Sequence, residues 1–327
     1  MIEILSDSRL ASVQDLGRFG HLRHGVGMSG AMDIPALSAG NLMLGNDPGA
    51  AGIEIPLFPL RLCFHRPCTF ALTGADTDAT LDDAPLLPWW TARAAAGQTL
   101  TLKRPLCGVR AYLTVAGGIR VADVLGSRST QLRGGFGGMA GRMLQKGDLL
   151  PLADNADAGP GGFGILSPLS CLPLTREGDP AVRVIPAAEY PLFRQICRDA
   201  FWAEPWKITS QSNRYGYRLE GTPLLPEQPL EMRSHGIVPG VIQVPHGGQP
   251  IIQMRDAQPM GGYPKFGAVI EADIWRLGQI PIGKRVRFIE ADYEQGVAAL
   301  DELDGYLTRV RDMVAIQRLS CAVTSFD

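Results

Sequence analysis

Long apolar runs are missing from this chain of 327 residues, and no stretch reaches the roughly 18 apolar residues that a membrane-crossing helix needs. The first twelve residues, MIEILSDSRLAS, hold acidic groups and a short apolar run instead of a secretory signal. A cytoplasmic protein without a membrane partner is the expectation. Excess charge of one sign is missing too. Lys and Arg number 31 against 33 Asp and Glu, and no basic run interleaves with aromatics, which argues against nucleic acid as a partner. The six cysteines, at 63, 68, 107, 171, 197 and 321, lack CxxC spacing. Cys63 and Cys68 bracket Phe64-His65-Arg66-Pro67, but the second half of a metal clip is absent and the flanks alternate as in a strand. Free thiols are expected, with no metal site and no disulfide framework.

Nucleotide motifs are approached and then missed. Gly25-Val26-Gly27-Met28-Ser29-Gly30 matches GxGxxG, yet Phe19-Gly20-His21-Leu22-Arg23-His24 before it cannot be the central strand of a dinucleotide fold. Gly278 to Lys284 nearly spells a phosphate-binding loop. Arg285 then stands where a Ser or Thr would hold magnesium, and a strand pattern follows where a helix is needed, so a turn is expected. Regular alternation of strand and helix is likewise absent, which disfavours a doubly wound sheet.

What the chain does have is short strand patterns punctuated by Gly and Pro. Phe70–Thr73, Leu100–Lys103, Ala111–Val115 and Val286–Ile289 are of strand length, and Leu81-Asp82-Asp83-Ala84-Pro85 reads as a turn. Three helices are expected. Asp33 caps the first over Ala36–Leu44, which ends at Gly45-Asn46. The second runs near Tyr190–Ala203 and stops before Pro205. The third covers about Tyr293–Leu319, with Val297, Leu300, Leu303, Leu307, Val310 and Val314 as its apolar stripe. The fold class is therefore mainly β with a few helices. Residues 154–179, rich in Gly, Pro and Ser, are the expected linker between an N-terminal domain (1–160) and a C-terminal domain (180–327).

Two segments ask for a functional reason. Gly134–Gly141 packs five glycines into eight residues between Arg133 and Arg142. Ordering so many glycines is entropically costly, which suits either a lid or anion-binding nest or a loop left disordered. Ser234–Lys265 sets His235, Gln243, His246, Asp256, Gln258 and Tyr263 among glycines and prolines, with strand fragments Val241-Ile242 and Ile251-Ile252. Polar groups on such a scaffold tend to face a site, and they also serve turn amides. An acid, an amide and a phenol can orient a lactam or urea-like group and move its proton. His235 could titrate near neutral pH. Upstream, Arg214 and Arg218 lie an even number of residues apart and would share one face of an extended strand, a fork for a carboxylate or phosphate. Pairing with Glu220 or Glu231 is the alternative. An arginine exposed in this way would contribute little to folding.

The same segment, with Val13-Gln14-Asp15-Leu16-Gly17-Arg18, Ser29-Gly30-Ala31-Met32-Asp33, Ala116-Gly117-Gly118-Ile119, Gly126-Ser127-Arg128-Ser129-Thr130 and Gln211 to Leu219, resembles the biotin-dependent carboxyltransferase-like family. The stretches follow the family's order over roughly residues 1–290. That family includes one component of 5-oxoprolinase, the antagonist of a sporulation-kinase inhibitor and one part of urea carboxylase. Ser234-His235-Gly236 and Val244-Pro245-His246 point to the 5-oxoprolinase branch. One departure stands out: Pro259-Met260 replaces two threonines usual before the Gly-Gly-Tyr, removing two hydroxyls.

The resemblance implies two cyclophilin-like β-barrel domains. It also implies one component of a complex that opens 5-oxo-L-proline to L-glutamate with ATP. Its partners would be a paired, B-like chain of related fold and a third, A-like chain. ATP, with magnesium, would then occupy a non-standard or interface site. No biotin-attachment motif is present, so a carboxyltransferase role would be on the acceptor side. A binding antagonist of a small regulatory protein is the third reading. Asp256, His235, Tyr263 and Gln258 are the candidate catalytic groups. Ser212, Asn213, Arg214, Arg218, Gln243, Gly261 and Gly262 are candidates for substrate binding, with Arg128, Arg142 and His246 as secondary candidates.

Overall fold

The structure, a computed structural model, describes residues 1–7, 10–156 and 161–323. It divides into two compact units. The first comprises Met1–Arg18, Ser29–Cys171 and Asp304–Asp327, and the second Phe19–Met28 and Leu172–Leu303. The chain passes between the units at Arg18–Phe19, Met28–Ser29, Cys171–Leu172 and Leu303–Asp304, and residues 157–160 lie outside the described ones. The C-terminal helix is shared, its first residues counting with the second unit and the rest with the first.

In chain order the first unit holds β1 (Ile2–Ile4), β2 (Ser12–Gln14), α1 (Ile34–Leu44), β3 (Gly52–Ile55), β4 (Leu60–Phe64) and β5 (Cys68–Asp76). β6 (Thr80–Leu81), β7 (Ala84–Pro85), β8 (Trp90–Ala94), β9 (Thr99–Leu102), β10 (Cys107–Val115), β11 (Leu149–Leu150) and α2 (Pro168–Cys171) follow. Its strands form two sheets, ordered β11-β1-β4-β9-β6-β7 and β2-β3-β10-β5-β8. One apolar cluster, with Ile4, Leu62 and Leu100 from the first sheet and Ile53, Phe70 and Leu113 from the second, fills the space between them. β4 and β9 of the first sheet alternate because that sheet buries one face there, whereas β3, β5 and β10 of the second are buried on both faces.

Helix α1 is buried almost all round, which explains its largely apolar sequence, with the buried Asn41 amide donating to Ala50 O at 2.7 Å. It starts where Asp33 Oδ1 accepts the Ala36 amide at 2.9 Å and ends at Gly45 in the left-handed conformation, as expected. Gly40 lets it approach the sheet, since a Cβ there would come within 2.8 Å of Thr114 Oγ1.

The second unit holds β12 (Thr175–Arg176), β13 (Asp179–Pro186), α3 (Gln195–Ala203), β14 (Trp206–Ile208), β15 (Gly216–Glu220), β16 (His235–Gly236) and β17 (Val241–Gln243). Then come β18 (Ile251–Gln253), β19 (Met260–Gly261), β20 (Lys265–Val269), α4 (Glu271–Gly278), β21 (Arg285–Glu290) and α5 (Tyr293–Val323). Seven strands run β13-β20-β17-β18-β15-β14-β21, and a parallel pairing of β13 with β21 closes the ring into a barrel. Closure removes the exposed edges an open sheet would carry. α3 lays Phe201 against Phe288, stacked at 4.4 Å, and against Phe266 and Trp206.

Three sequence expectations need correction. The helix expected at Tyr190–Ala203 is a 3-10 turn, Tyr190–Leu192, followed by α3. Between them Phe193 is extended and bridged to Pro226, and the Arg194 amide is taken by Leu225 O at 3.0 Å, so the helix cannot run through. On α5, Val297 and Leu300 are exposed, while Gly296 and Ala299 are buried. These small residues face Ile185 and Ile270, so close approach, not side-chain size, chooses the face. Further along, Tyr306, Val310 and Val314 are buried. Helix α4 was not expected at all, because its eight residues span only about two turns. It is anchored by Asp273, fully buried between Arg183 and Arg276.

Candidate functional site

Segment Ser234–Lys265 is a scaffold of short pairings. β17 and β18 belong to the barrel, Ile242 opposite Ile252, and β16 pairs with β19 so that His235 lies opposite Gly261 and Gly236 opposite Met260. At a bulge in the β17–β20 pairing, Gln243 is buried. Its Oε1 accepts from Gln253 Nε2 at 3.1 Å and its Nε2 donates to Tyr263 O at 3.3 Å. Only glycine fits beside this amide, because a Cβ on Gly261 would sit 2.6 Å from Gln243 Nε2. Gly262 is less constrained, its nearest neighbour being Met232 O at 3.3 Å.

His235 Nδ1 donates to Arg233 O at 3.0 Å, and its Nε2 is buried without a hydrogen bond. Tyr263 and His246 lie at the surface and meet edge to face at 6.1 Å.

The arginine pair is not a pair. Arg214 precedes β15 in a bend where Asn213 N donates to Gly216 O and Asn213 Oδ1 accepts from Tyr215 N. That turn breaks strand alternation, so Arg214 points inward and Arg218 outward. Arg214 is buried against Asp256, Nε to Oδ2 at 2.8 Å and Nη2 to Oδ1 at 3.0 Å. The Asp256 amide also donates to Arg214 O, so the two loops are tied twice. Asp256 and Gln258 face different ways for the same kind of reason. A turn closed by Ala257 N to Met254 O buries Asp256 and exposes Gln258. Ser212 clamps Arg218 from the other side, accepting its amide at 2.9 Å and donating to its carbonyl at 3.3 Å.

Arg218 stands at a cleft of about 350 Å³ lined also by Thr209, Ser210, Gln211, Gln249 and Ile251. No carboxylate reaches the Arg218 guanidinium among the described residues, and Glu220, two residues on, is held by Lys207 at 3.0 Å. Thr209 and Gln253 were not singled out by sequence. Neither residue belongs to a motif, and only the fold shows one beside the cleft and the other against Gln243.

In the first unit, Arg142 is committed to Asp148 through two contacts of 2.7 Å. This draws the Asp148 carboxyl below its usual pKa and the Arg142 guanidinium above its own. Arg128 gives its amide to Asp15 Oδ2 and its Nε to Val121 O. Asp15 also accepts from Ser127 and Ser129.

The glycine stretch between Arg133 and Arg142 is folded. Gly135, Gly138 and Gly141 donate to the carbonyls of Gln131, Arg128 and Gly137, and a Cβ on Gly141 would lie 1.9 Å from the Gly135 carbonyl carbon. Gly137 and Gly141 thus serve close backbone packing, and the amides of Gly135, Gly138 and Gly141 are engaged within the fold. The Gly278–Lys284 stretch is a turn, as expected, with Lys284 N bonded to Pro281 O. Neither stretch has the donor set of a phosphate cradle. Among the described residues, no three His, Cys, Asp or Glu side chains group as metal ligands. Cys63, Cys68, Cys107, Cys171 and Cys197 are free thiols. No helix of the described residues is long and apolar enough to cross a membrane.

A closed seven-strand barrel and a two-sheet β unit in one chain, with the polar segment on the barrel, make up the fold of the carboxyltransferase-domain family. The chain belongs to the family described as carboxyltransferase domain, subdomain A and B, which matches residues 24–290. It is 43% identical over 310 residues to the C subunit of 5-oxoprolinase from Escherichia coli (strain K12), covering 95% of this chain and 97% of that one. The corresponding C subunit of 5-oxoprolinase from Haemophilus influenzae is 39% identical over 96% of this chain and 99% of its own length. The crystal structure of the Kluyveromyces lactis urea carboxylase superposes with a TM-score of 0.86 at 29% identity, over 94% of this chain and 29% of that larger one.

Proposed function

We propose that this chain is the C-type component of a cytoplasmic, ATP-dependent 5-oxoprolinase that opens 5-oxo-L-proline to L-glutamate. The observation that carries this reading is the end-to-end similarity to a 5-oxoprolinase component, 95% of this chain against 97% of the relative, with no large part of either left over. Water adds across the lactam C–N bond, the carbon gaining the hydroxyl and the nitrogen the proton. Coupling to ATP hydrolysis supplies the driving force. That Gly135, Gly138 and Gly141 spend their amides on backbone carbonyls supports a reading in which ATP, with magnesium, occupies a non-standard or interface site shared with a paired, B-like chain and a third, A-like one. In this reading Arg214 and Asp256 are positioning residues that fix the polar segment, and His235 Nε2 is a ring nitrogen within it that no hydrogen bond occupies.

The test is reconstitution with A- and B-type partners, measuring glutamate and ADP together. The complete mixture should release both from 5-oxoproline, and this chain alone should release neither. Equal turnover by the isolated chain would end the partner requirement. Similarity to the urea carboxylase structure favours a second reading, a carboxyl acceptor site for a urea-like substrate. A complete mixture that is inert on 5-oxoproline but carboxylates urea from carboxybiotin would establish that one instead.

A further inference from the structure

The cleft on the barrel has a specific chemistry. Arg218 sits on β15, hydrogen-bonded to β18 with Ile251 directly opposite, and both side chains line the cleft. Its main chain is fixed on three points: Ser212 Oγ takes the amide and donates to the carbonyl, and the Thr209 amide donates to that same carbonyl at 2.9 Å. The guanidinium therefore springs from a rigid base, which lowers the entropy lost when it engages a ligand.

The surrounding groups leave that charge unanswered. Glu220 is the acid of the cleft wall, and Lys207 already holds it. Gln249 is spent on the backbone, accepting Gly221 N at 3.1 Å and donating to Gly221 O at 3.0 Å. Thr209, by contrast, lines the cleft and has a hydroxyl that is buried without a hydrogen bond. Pro245, Pro250 and Ile251 supply an apolar wall, and Gly247 leaves room beside it. At about 350 Å³ the space lies at the small end of the roughly 300–1,000 Å³ usual for ligand pockets.

We propose that this cleft binds a small organic carboxylate, its two oxygens on the Arg218 fork and its apolar ring or chain against Pro245, Pro250 and Ile251. A planar guanidinium prefers such two-point recognition, and one cation matches one carboxylate better than a multiply charged phosphate. The choice of 5-oxoproline as the probe rests on the function proposed above. The ligand class does not.

The experiment titrates the ¹⁵N-labelled full chain with 5-oxoproline and, separately, with inorganic phosphate. Amide shifts should move at residues 209–211, 218 and 247–251 with 5-oxoproline. Arg218→Met should abolish them and Arg218→Lys should weaken binding roughly tenfold, while the melting temperature stays that of wild type because the side chain is exposed. Shifts elsewhere only, or tighter binding of phosphate at the same residues without competition from 5-oxoproline, would overturn the proposal. The reconstituted complex separates the two ideas. Turnover of 5-oxoproline with an unchanged KM in Arg218→Met removes the cleft and keeps the enzyme. Arg218-dependent carboxylate binding in a complex inert on 5-oxoproline keeps the cleft and removes the enzyme.

Discussion

Arg214 and Asp256 face each other fork to fork, two hydrogen bonds of 2.8 and 3.0 Å closed off from solvent. Spacing alone predicted an exposed Arg214 with little weight in folding, and the pair reverses that expectation. Removing one partner strands the other charge in a buried place, at a cost of about 3–5 kcal/mol. Arg214→Met and Asp256→Asn should each lower the urea midpoint strongly. Arg214→Met combined with Asp256→Leu should recover much of the loss, because no lone charge remains. Single variants as stable as wild type would show that the pair is open to water.

Acid should uncover the Arg142–Asp148 contact. Arg142's two-point hydrogen bond, then the Gln145 amide, hold the folded Asp148 pKa below its ordinary value, with partial burial opposing them. A lowered folded pKa gives stability that is complete above the unfolded value of about 3.9 and is lost as pH falls through the folded one. Asp148→Asn should therefore lower the urea midpoint at pH 7 and differ less from wild type at pH 3. A gap that widens toward acid would contradict this.

Tyr112 should report at the alkaline end. Its hydroxyl donates to Glu54 Oε2 at 2.7 Å and accepts from the Asp33 amide at 2.8 Å. Burial first, then the Glu54 charge, push its pKa well above the usual 10. Stability from a raised pKa is full below about 10 and declines as pH rises past it, since only the unfolded phenol ionises there. Tyr112→Phe should cost about 1–3 kcal/mol at neutral pH by stranding the Asp33 amide. That deficit should shrink above pH 10, as followed by denaturant melts from pH 8 to 11.

Two glycines in one loop make an internal control. Gly135 and Gly141 both have positive φ, +66° and +69°, so alanine is strained at either. Alanine at 135 meets nothing within 4 Å, whereas at 141 it meets the Gly135 backbone at 1.9 Å. Gly135→Ala should cost about 1 kcal/mol, and Gly141→Ala should cost clearly more. Equal thermal shifts would mean the loop yields freely.

Several features were legible in the order of residues. Asp33, the apolar run to Leu44 and Gly45 mark both ends of α1, because a capping carboxylate and a left-handed glycine act within one turn of the chain. Strand cores such as Phe70–Thr73 and Val286–Ile289 showed for the same local reason, and the ordered motifs carried the family. The α5 stripe was half right: Val310 and Val314 are buried, but Gly296 and Ala299 displaced Val297 and Leu300 because Ile185 and Ile270 approach from elsewhere in the sequence.

Sequence by itself thus determined the class of fold, the capped helix and the polar segment that carries the candidate groups. These depend on periodicity, turn chemistry and residue type, all properties of neighbours along the chain. Tertiary structure alone decided which of two arginines is free. A turn at Asn213 rotates Arg214 inward to Asp256, and Lys207 draws Glu220 away from Arg218. Those choices hang on partners about a dozen to forty residues away, and a salt bridge forms with whichever charge the fold brings within reach.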